Sequence, residues 1–137
     1  MGISMGANLL LNYAGQTKNE CIFKGLVSIS NPFDLYECGE QIDQWRNSLY
    51  NWNMTNGFKR NLKKNMDFLR KNEDKGIEIE KALQSWRTKD FDEYFTRRLF
   101  GYTDVEQYYK SIGCKDRVKN IQIPALLINS KDDPICK

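Results

Sequence analysis

Histidine is absent from all 137 residues. Imidazole is the usual general base near neutral pH, so a catalytic reading has to find its base elsewhere. Among the four cysteines no CxxC pair occurs, and without histidine no zinc-ligand spacing can be assembled. No metal and no cofactor is expected. The cysteines (Cys21, Cys38, Cys114, Cys136) are scattered and read as free thiols of a reducing compartment. No apolar run is long enough to cross a bilayer. The first residues lack the charged start and long apolar stretch of a secretory leader. The charge of +3, from 21 basic and 18 acidic residues, lacks the excess typical of nucleic-acid binders, so no nucleic-acid partner is expected.

What is present suffices for one modest domain. Apolar residues make up 40%, with seven Phe, seven Tyr and three Trp for packing. After Gly2-Ile3-Ser4-Met5-Gly6, the positions Ala7, Leu10, Leu11 and Ala14 fall on one helical face, and Gly15 offers a stop. Gly25–Ser30 reads as a short buried strand ending at Asn31-Pro32. From about Phe33 to Gly113 the pattern is helical. Ile42, Trp45, Leu49 and Trp52 open it, a break is expected over Asn53–Gly57, and Phe58, Leu62, Met66 and Leu69 form the next stripe. Ile79, Leu83 and Trp86 mark a third helix, and Phe91, Tyr94, Phe95 and Leu99 a fourth, capped by Asp90. Thr103 with Glu106 has capping-box spacing for a helix from Asp104 to about Tyr109. Ala125–Asn129 reads as a second buried strand, running into Lys131-Asp132-Asp133-Pro134. Alternating strands and helices predict an α/β fold with a parallel sheet, and two strands this apolar need neighbours beyond the sequence at hand.

Two features carry chemistry. G-x-S-x-G places a serine on a sharp strand-to-helix turn, with Ser4 Oγ presented above the sheet and the Met5 N–H facing an oxyanion hole. Asp132 and Asp133 follow the later strand, where open α/β sheets put their sites, and either would orient a histidine and stabilise its charged form. Ser4 also fits an ordinary helix cap, and Lys-Asp-Asp-Pro an ordinary turn. Serine before acid is the chain order of α/β-hydrolases, and the missing histidine belongs after the acid, beyond Lys137.

Longer stretches sharpen this. Gly2–Leu9, Val27–Leu35, Phe91–Thr96, Gly101-Tyr102, Tyr108–Ser111, Ile123–Asn129 and Asp132–Pro134 together resemble the AB hydrolase 4 family of esterases and lipases, in that family's order. The resemblance implies a partial α/β-hydrolase domain with Ser4 as nucleophile and Asp133, the aspartate directly before the proline, as acid. It implies a small-molecule ester or acyl-lipid substrate, attacked through an acyl-enzyme with water or an alcohol as acceptor. The family's histidine lies in a later Gly-Gly-His segment, and its amino-terminal strands supply the second oxyanion donor. Neither is in this sequence, so the chain is expected to be inactive alone.

Residues 33–113 stand where such hydrolases carry a helical lid. Its aromatics are expected to be core, with an acyl pocket as the other reading. Lys59, Arg60, Lys63, Lys64, Arg70 and Lys71 form a basic stripe: a solvated face, or a contact between the lid and an anionic membrane. The competing function is a non-catalytic interaction module that uses the basic helix 58–71. Whether the parent protein is cytoplasmic or membrane-associated stays open.

Overall fold

Three short strands run parallel in the order β1 (Gly2–Ile3), β2 (Leu26–Ile29), β3 (Ala125–Ile128), in a computed structural model that describes residues 1–70 and 76–136. Gly2 pairs with Ser28, and Leu26 through Ile29 pair with Ala125 through Ile128. Parallel neighbours need crossover connections. Helix α1 (Met5–Thr17) makes the first, and the helical stretch between β2 and β3 makes the second.

The described residues divide into two compact units. The first is Met1–Cys38 with Tyr109–Lys137, and the second is Gly39–Tyr108. In the first unit, Leu11, Ala14, Leu26 and Cys114 form the core, with Phe33, Val118, Ile121 and Ile123 packed against it. Ala7, Leu11 and Ala14 are fully buried, which is the face predicted from their spacing. Gly15 is no stop: α1 continues to Thr17. A Cβ on Gly15 would come within 2.4 Å of the Arg117 carbonyl oxygen, so this glycine permits close packing rather than ending the helix.

The second unit begins within α2 (Leu35–Ile42) and continues through α3 (Ser48–Lys64), α4 (Met66–Arg70), α5 (Ile79–Gln84) and α6 (Thr88–Phe91). A π-helical turn, Asp92–Thr96, leads into α7 (Arg97–Leu99), and α8 (Val105–Ile112) closes the helical stretch. Leu62, Leu69, Ile79, Ala82 and Phe91 are its core, with Phe58 and Phe95 each ringed against Phe91 at 5.5 and 5.4 Å. Asn51 knits the unit. Its amide donates to Ile42 O and Asp43, while its oxygen accepts the Thr88 N–H at the start of α6.

Several expectations change. The break over Asn53–Gly57 does not occur, because α3 runs through it, with Thr55 Oγ1 donating to Asn51 O inside the helix. The stripe Phe58–Leu69 is interrupted instead at Asn65, which separates α3 from α4. Trp86 lies past the end of α5 and is exposed. Asp90 is not a cap: α6 starts after Arg87, and Asp90 instead pairs with the Arg87 guanidinium. The capping signal near Thr103 is shifted. Asp104 accepts the Gln107 N–H, Gln107 reaches back to the Thr103 N–H, and α8 extends to Ile112. The core reading of the aromatics in residues 33–113 holds for Phe58 and Phe91 but not for Trp45 and Trp52, which are exposed, as is Leu49. Strand β3 is likewise exposed along its length, not buried. Lys71 lies outside the described residues.

Candidate functional site

The backbone at Ser4 has φ 52° and ψ −126°, a region that side-chain-bearing residues rarely enter. Two constraints hold it there. The Ser4 N–H donates to Ile29 O at 2.9 Å, extending the β1–β2 ladder by one bond. Its carbonyl accepts the N–H groups of Ala7 and Asn8, opening α1. The chain therefore turns from strand to helix within one residue. The Ser4 side chain is exposed at that corner. The Met5 N–H lies in the first turn, where no earlier helical carbonyl stands to receive it, at the positive end of the helix.

The two glycines of the motif do different work. A Cβ on Gly2 would meet Gly6 O at 2.6 Å, Ala7 Cα at 2.7 Å and Ala7 N at 2.8 Å. Around Gly6 a Cβ would meet nothing within 4 Å. The sharpness of the turn thus rests on Gly2 alone.

Asp133 stands on the loop after β3. Its Oδ1 accepts the N–H groups of Ile135 and Cys136 at 2.9 and 2.8 Å, so the carboxylate organises its own loop. Asp132 is exposed and takes a hydrogen bond from Ser130 Oγ, which holds its carboxyl below the usual carboxylate value. Asp133 is the more constrained of the two.

Two asparagines that sequence reading passed over as a turn residue and a strand end tie these loops together. The Asn31 N–H donates to Asn129 Oδ1 at 3.1 Å, and Asn129 Nδ2 returns a bond to Asn31 O at 3.0 Å. Asn129 Nδ2 also reaches Cys136 O at 3.3 Å, closing the loop that carries Asp133. The Ser30 N–H meanwhile donates to Ile128 O. Ser4, Asn31 and Asp133 therefore follow the carboxyl ends of three adjacent parallel strands. With strands about 4.8 Å apart, the β1 and β3 ends that carry Ser4 and Asp133 stand about 10 Å apart, with β2 between them. The signal available in sequence was an Asn within two residues of the end of each of the two longer strands.

A second polar layer fixes α1 behind the turn. Buried Asn8 donates to Pro32 O at 3.0 Å, and Asn12 donates to both Asn8 Oδ1 and Ile112 O at 2.8 Å. Arg117 closes the layer by donating to Asn12 and Ser111 O. Among the described residues no cluster of His, Cys, Asp or Glu has the makings of a metal site.

The chain is 33% identical to a monoacylglycerol lipase of Saccharomyces cerevisiae, over 98% of this chain and 31% of that protein. It is 31% identical to an abhydrolase domain-containing protein of Dictyostelium discoideum, over 98% of this chain and 34% of that protein. It is 28% identical to the human phospholipase ABHD3, over 96% of this chain and 32% of that protein. The chain thus spans about a third of the length of the curated relatives it matches. No family model and no solved structure matches it.

Proposed function

This chain belongs to the AB hydrolase superfamily, and on that footing we propose that it is the nucleophile-and-acid portion of a serine carboxylic-ester hydrolase of the acylglycerol lipase or esterase type. The observation that carries the reading is the strained Ser4 corner at the end of β1, with a hydrogen-bonded Asp133 loop two strands away at the same end of a parallel sheet. In this reading a histidine from outside the 137 residues takes the Ser4 Oγ proton. Oγ attacks the ester carbonyl, the Met5 N–H stabilises the oxyanion, and the alcohol leaves. Water or another alcohol then releases the acyl group. Asp133 orients the histidine and stabilises its charged form. The yeast relative's name, monoacylglycerol lipase, and that of the human phospholipase, support an acyl-lipid substrate.

The helical stretch, residues 33–113, serves as the lid in this reading. Trp45, Leu49 and Trp52 are exposed, at relative exposures of 88%, 72% and 46%. Leu49 and Trp52 lie on a stripe of α3 that continues at helical spacing to the exposed Arg60 and Lys63. Indole rings at the headgroup level and cations toward anionic lipid are how an interfacial helix binds. The same stripe would serve a partner protein if the chain were a non-catalytic module, and vesicle binding separates the two. Replacing Arg60, Lys63 and Lys64 by Gln should weaken binding to anionic vesicles; unchanged binding removes the membrane role.

Fluorophosphonate labelling tests the catalytic reading. The 137-residue chain should label slowly, and a longer chain that includes the histidine-bearing segment should label at Ser4. Asp133→Asn in that longer chain should lower ester turnover by about 10⁴, the loss seen when a triad acid is neutralised. Equal labelling of both chains, or full turnover without the Asp133 carboxylate, would sink the proposal.

A further inference from the structure

Ile3, Ile29 and Ile128 are register partners across the sheet. The ladder runs one step further: the Ser4 N–H donates to Ile29 O and the Ser30 N–H to Ile128 O, both at 2.9 Å. Ser4, Ser30 and Asn129 therefore form the next row, two hydroxyls and an amide directly beyond three isoleucines. Neighbouring strands stand about 4.8 Å apart, so Ser30 is the residue beside Ser4 on the side of Asp133. Its backbone is held at φ 47°, close to the 52° of Ser4. Glycine takes that conformation freely, whereas serine takes it at a cost. Lys18, which also has a positive φ, lies at the far end of α1. The Ser30 side chain is half-buried, and its Oγ enters no hydrogen bond among the described residues. Asn129, by contrast, uses both ends of its amide on the main chain of Asn31 and Cys136.

We propose that Ser30 is a specificity-determining residue, whose hydroxyl exchanges a hydrogen bond with a free hydroxyl on the alcohol portion of the ester and so favours acyl esters of polyols over alkyl esters of the same acid. This rests on the reading of Ser4 and Asp133 as nucleophile and acid. In that reading one imidazole joins Ser4 Oγ to the Asp133 carboxylate across the end of β2, where Ser30 stands. The imidazolium gives its proton to the alcohol oxygen as the bond from that oxygen to the acyl carbon breaks, the electron pair staying with the oxygen. The departing alcohol is therefore beside the imidazole and over β2, while the oxyanion faces the Met5 N–H at the start of α1. A hydroxyl further along that alcohol is the substrate group that Ser30 Oγ can meet. Ser30 is half-buried, so an alcohol without the hydroxyl leaves Oγ to water rather than orphaned. The discrimination is accordingly that of one net hydrogen bond, about tenfold in kcat/KM, and not the far larger ratio of a sealed polar site.

The experiment uses the longer chain that includes the histidine-bearing segment, with 1-octanoylglycerol and propyl octanoate as probes. The two esters share the acyl group and the carbon skeleton of the alcohol, and differ only in the hydroxyls of the glycerol. The unsubstituted chain should have the higher kcat/KM on the glycerol ester. Ser30→Ala should lower the ratio of the two kcat/KM values by about tenfold, with most of the change on the glycerol ester. Ser30→Gly should lower the ratio equally, and since glycine relieves the positive φ, it decides the matter should alanine disturb the fold. In the 137-residue chain Ser30→Gly should raise the urea midpoint; a fall removes the strain from which the proposal starts and overturns it. An unchanged ratio, or equal losses on both esters, with turnover still dependent on Ser4, overturns the role of Ser30 alone. Absence of ester turnover in the longer chain, or turnover that survives Ser4→Ala, overturns the underlying reading and this proposal with it.

Discussion

Replacing Gly2 and Gly6 separately by alanine should move stability in opposite directions. A Cβ at Gly2 would stand 2.6–2.8 Å from three backbone atoms of the first turn of α1, about 0.8 Å inside ordinary van der Waals contact. None of the three belongs to a side chain that can rotate away. Ala7, which supplies two of them, is fully buried, and its N–H is bound to Ser4 O. Relief requires α1 to move away from β1 against that packing, which places the cost near the top of the overpacking range, about 3 kcal/mol. At Gly6 the new methyl group enters open space on helical backbone, and alanine should stabilise by about 0.5–1 kcal/mol. Urea unfolding followed by circular dichroism measures both, with the midpoint falling for Gly2→Ala and rising for Gly6→Ala at unchanged slope. Equal losses at the two positions, or a Gly2→Ala chain within about 0.5 kcal/mol of the parent, would refute the claim that the turn's tightness rests on Gly2.

Ser4→Gly should raise stability by about 1 kcal/mol by relieving the positive φ, while removing the hydroxyl that the proposed chemistry needs; a loss of stability would mean that the corner is not strained. Asn129→Ala removes three hydrogen bonds and should cost about 2 kcal/mol, with faster trypsin cleavage after Lys131 as the local sign. Burial pushes the Asp34 carboxyl up, but the Glu37 N–H and Lys115 outweigh it and hold the group below its ordinary 3.8. Its folded-state value being the lower one, its stabilisation is full above the ordinary 3.8 and is lost as pH falls from there through the folded-state value. The stability gap between parent and Asp34→Asn should therefore be flat at neutral pH and close on acidification; a gap that widens in acid would contradict the assignment.

Most of the strand and helix order was legible because burial enforces it. Ala7, Leu11 and Ala14 had to face one side, and the apolar run at Leu26–Ile29 had to be a strand. The turn at Ser4 was legible through its glycines, although one of them proves sterically idle. The errors fell where a side chain's partner is distant in sequence. Asn53–Gly57 carries turn-forming residues, yet the helix persists through them, anchored by Thr55 on Asn51 and by Asn51 on Thr88. Gly15 looked like punctuation because Arg117, the residue it accommodates, lies about a hundred positions on. Exposure of Trp45, Leu49 and Trp52 was equally illegible, since helical spacing reports a shared face but not what that face meets. The asparagine clamp at Asn31 and Asn129 had no motif, only a position behind two strands.

The pairing of β2 with β3 joins residues about a hundred positions apart in the chain, and such distant partners meet late in folding because their loop must first be closed. During synthesis the serine corner is therefore made well before the aspartate loop. Until the third strand arrives, the second lacks its partner on that side, and the clamp between Asn31 and Asn129 cannot form.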